Sequence, residues 1–193
     1  MPERRERDAS KTREALLQAA RTRFMRLGFD GTTLRDVAAD VGVNLALIKR
    51  YFDSKEGLFK AVLAVTPQPE EFPTDQASLV ETLSRQMSAD AWPEFGEHPV
   101  LILLRVSENE NVEELRRRAL EDFSRKLLAA SDGAADDDRT LRAQLLLALG
   151  VGVAVVRSAV GLQPLSGATS GELSGPLRDV VEALLGRPGA ERQ

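Results

Sequence analysis

The chain contains no cysteine and one histidine, His98. Without cysteine there can be no disulfide framework, thiolate zinc site, CxxC redox pair or cysteine nucleophile. A lone histidine has no companion with which to hold a metal, so no metal or cofactor is expected. At 193 residues the chain is long enough to bury a core without staples, and the lack of cysteine fits a reducing compartment. The charged start MPERRERDAS lacks the apolar stretch of a secretory signal. The longest apolar run, Leu145 to Val156, is 12 residues, below the roughly 18 to 20 needed to span a bilayer. It reads as a buried helix, and a cytoplasmic protein without a membrane partner is expected.

Net charge is −4, which taken whole argues against a nucleic-acid partner. Divided, the chain says otherwise: residues 1–66 carry 13 Lys and Arg against 9 Asp and Glu, whereas 67–193 carry 13 against 21. A cationic module suited to phosphates is thus joined to an acidic body that avoids them.

Apolar residues recur at helical spacing, no strict alternation is long enough for a sheet, and no internal repeat is found, so the fold class is all-α. A first helix is expected from Ser10, a cap, to Leu27, with Leu16, Ala20, Phe24 and Leu27 on one face. Gly28 followed by Phe29 is a helix stop. Three prolines within Thr66 to Pro73 mark a boundary between modules. Beyond them, helices are expected near 75–90, 98–107, 111–131, 137–162 and 171–186. The modules are then a flexible arm over 1–9, a cationic helical module over 10–66, a helical body over 67–187 and a tail over 188–193.

The informative segment runs from Thr32 to Phe52. Thr33 caps a short helix whose Leu34, Val37, Ala38 and Val41 stand at i, i+3, i+4 and i+7. Gly42 ends it and Asn44 caps the next helix. A helix-turn-helix needs a small residue where its helices touch, a left-handed turn, and an apolar plug from the second helix. Ala38, Gly42 and Ile48 supply these in order. Val43, Ile48 and Phe52 then face a three-helix core, leaving Leu45, Ala46, Lys49 and Arg50 outward. Such a second helix enters the major groove. Arg50 is the first candidate for a base contact, its fork matching guanine O6 and N7. Lys49, Tyr51, Arg35 and the Thr33 hydroxyl suit phosphates, and a phosphate near Lys55 would meet the start of the helix capped by Ser54.

The run from Gly31-Thr32-Thr33 through Gly42-Val43 to Tyr51-Phe52-Asp53-Ser54-Lys55-Glu56 resembles the N-terminal signature of the tetracycline-repressor (TetR) family, over about residues 10–63. The resemblance implies a three-helix DNA-binding domain, a helical ligand-binding and dimerisation domain, and a dimer built from the last two long helices. It also implies a double-stranded DNA operator, an unknown and partly apolar small-molecule inducer, and no enzymatic activity. Carried across, DNA contact falls on Thr33, Arg35, Asn44, Leu45, Ala46, Lys49, Arg50, Tyr51 and Lys55. Leu45 and Leu47 depart from the small or polar residues usual there, and Lys49 from an aromatic, which leaves the operator sequence open.

Other features have plain readings beside functional ones. Arg4, Arg5 and Arg7 form a solvated tail or an arm reaching DNA. His98 reads as a cap or surface residue, and Asp136-Asp137-Asp138 as a helix start. Met87, Trp92, Phe95, Leu103, Arg105 and Phe123 are candidates for a ligand pocket or for core. The apolar helix 145–156 and the helix carrying Val180 to Leu185 are either a monomer's core or a two-fold interface. Candidate interface residues are Leu146, Gly150, Val153, Arg157, Val180, Val181 and Leu184. The function expected is a dimeric repressor released by an inducer. The alternatives are a ligand-independent DNA-binding protein, an activator, or a small all-α enzyme, though the body offers no catalytic constellation.

Overall fold

The computed structural model describes residues 2–64, 72–88, 98–130 and 136–186. Among these every regular element is helical: α1 Pro2–Leu27, α2 Leu34–Val41, α3 Leu45–Phe52, α4 Lys55–Ala64, α5 Gln76–Met87, α6 Glu110–Ala129, α7 Asp137–Val155 and α8 Ser170–Leu185. The chain divides into two compact units, one of Met1–Thr66 with Ile102–Ala119, the other of Pro67–Leu101 with Leu120–Gln193. Trp92 and Phe95 lie outside the described residues.

In the first unit α1 starts at Pro2, upstream of the expected start, so Ser10 sits inside the helix and residues 2–9 continue it. Proline tolerates the first helical position because its missing N–H would have no partner there. No breaker follows until Gly28, whose φ of 73° ends the helix. Leu16, Ala20 and Phe24 are fully buried, but Leu27 is 54% exposed. The chain reverses at Gly28 and brings Phe29 into the core instead, where the rings of Phe24, Phe29 and Phe59 meet at centroid distances of 5.1–5.9 Å. Val37, Ala38, Ile48, Phe52, Leu58 and Val62 complete this core. Residues 102–119 join the same unit through Ile102 and Val112, both buried. The Ser107 hydroxyl donates to Asp30 at 3.1 Å and the Asn109 amide to Glu56 at 3.4 Å.

The helix expected over 98–107 is a 3₁₀ turn, Pro99–Leu104. It stops because the Arg116 guanidinium takes the Leu103 carbonyl, with Nε at 2.9 Å, and the Ser107 N–H turns to the Glu113 carboxylate at 2.8 Å. Neither group is left to propagate a helix.

The second unit packs α5, α7 and α8 together. Leu79, Leu83, Met87, Leu127, Ala143, Leu146, Leu177, Val181 and Leu185 form its aliphatic core. Helical structure runs unbroken over Asp137–Val160, 24 residues with a mean hydropathy of 1.9 in its most apolar window. By length and composition alone this helix is long and apolar enough to cross a membrane, as the core helix of a soluble protein can also be. Its end is a π-helical turn, Val156–Val160, closed by Gly161 at φ 68°. Its outer stripe, Leu141, Leu145 and Leu149, is 54, 51 and 38% exposed. The start of α8 is a capping box between Thr169 and Glu172, which offsets the donor lost at Pro176 inside the helix.

Candidate nucleic-acid interface

The turn between α2 and α3 is closed by local hydrogen bonds, as its sequence dictates. The Asp36 N–H donates to Thr33 Oγ1 at 3.2 Å, and that hydroxyl donates to Asp36 Oδ2 at 2.7 Å. Gly42, at φ 71°, ends α2, where the Val43 N–H reaches back to the Ala38 carbonyl at 3.0 Å. Asn44 Oδ1 accepts from the Ala46 N–H at 2.8 Å, starting α3. Ile48 and Phe52 point inward at i and i+4, so Ala46, Lys49 and Arg50 share the outer face, and all three are exposed. Leu45 and Tyr51 are half-buried at its edges.

The corner from α3 to α4 is tight. Asp53 has φ 65° and ψ −58°, and the Ser54 N–H donates to the Phe52 carbonyl at 2.7 Å, the geometry of a γ-turn that non-glycine residues adopt only under strain. Gly57 is required beside it, because a Cβ there would run into the Phe52 carbonyl oxygen. Ser54 Oγ accepts from the Gly57 N–H at 3.0 Å and starts α4.

Charges around α3 fall into two groups. Arg23 of α1 clamps α2, its Nε 2.5 Å from Asp40 Oδ2 and its Nη2 2.8 Å from Oδ1, with Asp36 at 3.7 Å. This pairing raises the Arg23 pKa and lowers that of Asp40, each chiefly through their shared hydrogen bond. Arg35, Lys49 and Arg50, by contrast, are exposed, and no carboxylate among the described residues is within ion-pair distance of them. A surface cation left without an internal partner is available to phosphates or base edges. Nothing in the local sequence pointed to the Arg23 clamp, since its partners are 13 and 17 positions away.

Three of the expected contact residues are already engaged, Asn44 by the Ala46 N–H. Lys55 Nζ lies 4.2 Å above the Phe29 ring, and burial lowers its pKa. Lys55 therefore packs on the first-unit core, leaving the start of α4 to its N–H groups. The Thr33 hydroxyl, bound to Asp36 in both directions, would have to give up that bond to reach a phosphate.

The second unit distributes its candidate residues unevenly. Met87 and Phe123 line an apolar cavity together with His98, Val100, Leu146 and Gly150. Leu103 and Arg105 belong to the first unit and do not line it. His98 is the cap its sequence position suggested, its Nδ1 accepting from the Val100 N–H at 3.1 Å, and it also forms cavity wall. Burial is the main cause pulling its pKa to about 4, aided by the charge of Arg157 and opposed by a hydrogen bond to the Gln86 backbone.

The candidate interface set is also redrawn. Leu146 and Val181 are 1% exposed inside the unit's own core, and Gly150 faces Met87. The Arg157 guanidinium donates to the Ser166 and Ala168 carbonyls at 3.1 and 3.4 Å, holding the loop before α8. Val153, Val180 and Leu184 are partly buried against the core. Periodicity placed this helix in the chain but not its exposed stripe, because an almost wholly apolar helix has no polar face to fix its rotation.

A capped helix-turn-helix with an unpaired cationic outer face, followed by a helical body, defines a DNA-binding transcriptional regulator of the helix-turn-helix class. Residues 16–62 match the family described as "Bacterial regulatory proteins, tetR family", and residues 78–185, more than half of the chain, match "Tetracyclin repressor-like, C-terminal domain". The chain belongs to the TetR family, whose members regulate transcription and are not enzymes. It is 42% identical over 60 residues to the HTH-type transcriptional regulator RutR of Escherichia coli (strain K12), a match spanning 31% of this chain and 28% of that protein. Among solved structures it is similar in fold to NalD, the secondary repressor of the MexAB-OprM multidrug efflux pump in Pseudomonas aeruginosa. That likeness has a TM-score of 0.64 at 20% identity, covering 90% of this chain and 96% of the other. Salmonella enterica GusR gives 0.62 at 23%, covering 91 and 95%.

Proposed function

We propose that this protein is a cytoplasmic repressor that grips a palindromic operator as a homodimer and lets go when a small, partly apolar inducer occupies its second unit. The observation that carries DNA recognition is the outer face of α3, where Lys49 and Arg50 project unpaired beside Ala46, with Arg35 exposed on α2. Arg50 reads a base edge, and Lys49, Arg35 and Tyr51 hold phosphates. Thr33 and the first turns of α3 and α4, at Asn44 to Ala46 and Lys55, add backbone-side contacts.

The exposed stripe of α7 supports the homodimer. Leu141, Leu145 and Leu149 are open on an element that buries only Ala143, Leu146 and Ala154, and two-fold pairing covers the same stripe on both copies. A bilayer is disfavoured as its cover because residues 78–185, which contain this helix, match the C-terminal domain of a family of DNA-binding regulators. The cavity at Met87, His98 and Phe123 is the seat assigned to the inducer. Binding there releases DNA only so far as the ligand prefers the conformation with misplaced recognition helices.

The test is fluorescence anisotropy against DNA flanking the protein's own gene, with salt varied. Arg50→Ala is expected to weaken specific binding by about 1–3 kcal/mol and relax one operator position, whereas Lys49→Ala weakens all sequences alike and lowers the salt slope by about one. Equal affinity for palindromic and random DNA at every salt concentration would refute specific regulation.

A further inference from the structure

The second unit holds about 50 Å³ of free space walled by Leu83, Met87, His98, Phe123 and Gly150. No Asp, Glu, Lys or Arg among the described residues lines it, and the only polar side chains that do are Gln86 and His98. The ring of His98 is used within the chain on both sides, accepting from the Val100 N–H at 3.1 Å and hydrogen-bonded to the backbone of Gln86. With its pKa near 4 it is neutral at ordinary pH. A charged ligand entering here would lose its water and meet no counter-charge in the wall, since Arg157, whose charge reaches His98, does not line the cavity and is held by the Ser166 and Ala168 carbonyls; the cost is several kcal/mol.

Size is the second constraint. An apolar cavity of about 150 Å³ admits benzene, roughly three times the space found here. Met87 is the flexible, unbranched side chain in its wall. Its side chain, 7% exposed, rests directly on the α7 backbone at Gly150, where an added Cβ would lie 2.8 Å from the Met87 methyl carbon. Glycine at 150 thus makes the seat on which that methyl lies. Methionine is unbranched and can vacate such a seat by rotating at little cost.

We propose that this cavity takes an uncharged, apolar ligand about the size of one aromatic ring, with Met87 seated on Gly150 as the movable plug that the ligand displaces. This rests on the inducer reading above and adds the ligand's chemistry and the residues that set its size.

Titration calorimetry of the full-length protein with toluene, benzoate and benzylammonium tests it, the three sharing a ring and differing in charge. Toluene is expected to bind saturably and the two ions at least a hundredfold more weakly. Met87→Ala removes the plug and tightens toluene at least tenfold. If that variant fails to fold, Met87→Val carries the comparison. Absence of toluene binding, benzoate or benzylammonium matching toluene, or toluene affinity unchanged in the folded Met87 variant overturns the proposal. Operator release, followed by anisotropy in the same samples, separates the two readings. Saturable toluene binding with the operator still held upholds the cavity's chemistry and removes toluene-class compounds as inducers. Release by a charged compound that does not compete with toluene keeps an inducer but removes this cavity as its seat.

Discussion

The two units solve the same problem, burying one face of each helix, by different means. In the first, the short helices α2, α3 and α4 are started by their own side chains, at Thr33, Asn44 and Ser54, and pack with α1 around a cluster of three phenylalanine rings. In the second, longer aliphatic helices carry more apolar surface than the unit covers, and a stripe of leucines on α7 stays exposed. A locally specified unit is complete within one chain. A unit specified by bulk apolarity leaves part of that surface uncovered.

The comparison breaks most visibly in the aromatic core. Phe24→Ala is expected to cost about 3–5 kcal/mol, read as lost hydrogen-exchange protection in α2–α4 and in residues 102–119, with α5, α7 and α8 retained. Equal loss in both units would show them to be one cooperative body.

Acid should act on the other unit, which contains the chain's only histidine. An unfolded His98 titrates near 6.5 and the folded one near 4. Between these values the unfolded chain binds the proton and the folded chain does not, so stability falls as pH drops through this window and the contribution is fully lost below it. The loss is about 3 kcal/mol at most. Urea midpoints at pH 7 and pH 4 for the parent chain and His98→Asn measure it, and an identical slope in the variant would sink the assignment.

Smaller still is the cap. Thr33→Ala should remove about 1 kcal/mol and fray α2 first, visible in amide exchange at Asp36 and Val37. Smallest in stability is Leu145→Glu, expected to stay within about 0.5 kcal/mol for the unpaired chain because the side chain is already exposed. Sedimentation should nevertheless show the dimer lost, and a variant still dimeric at micromolar concentration would place the interface elsewhere.

The all-α class, the turn at Gly28, the α2–Gly42–α3 geometry, the caps at Thr33, Asn44 and Ser54 and the helix start at Asp136-Asp137-Asp138 were legible in the sequence, because each depends on residues close to one another in the chain. Elsewhere the same reasoning misplaced residues whose neighbours are distant in sequence. Leu27 fits the inner face by spacing, yet the reversal at Gly28 gives its place to Phe29. Lys55 reads as a phosphate ligand until the Phe29 ring is found beneath it. Leu146, Val181 and Arg157 read as a partner's surface, but the first two are core and the third secures the loop before α8.

By itself, then, the sequence determined which segments become helices, where they stop, and which short helix presents Lys49 and Arg50, since hydrogen-bond caps and 3.6-residue periodicity are local. The tertiary structure alone decided which cations are spent internally, as at Arg23 with Asp40. It decided that His98 would be a neutral wall of an apolar cavity, and which stripe of a nearly uniform α7 stays uncovered. Those outcomes depend on desolvation and on contacts between residues far apart in the chain, and no local pattern encodes them.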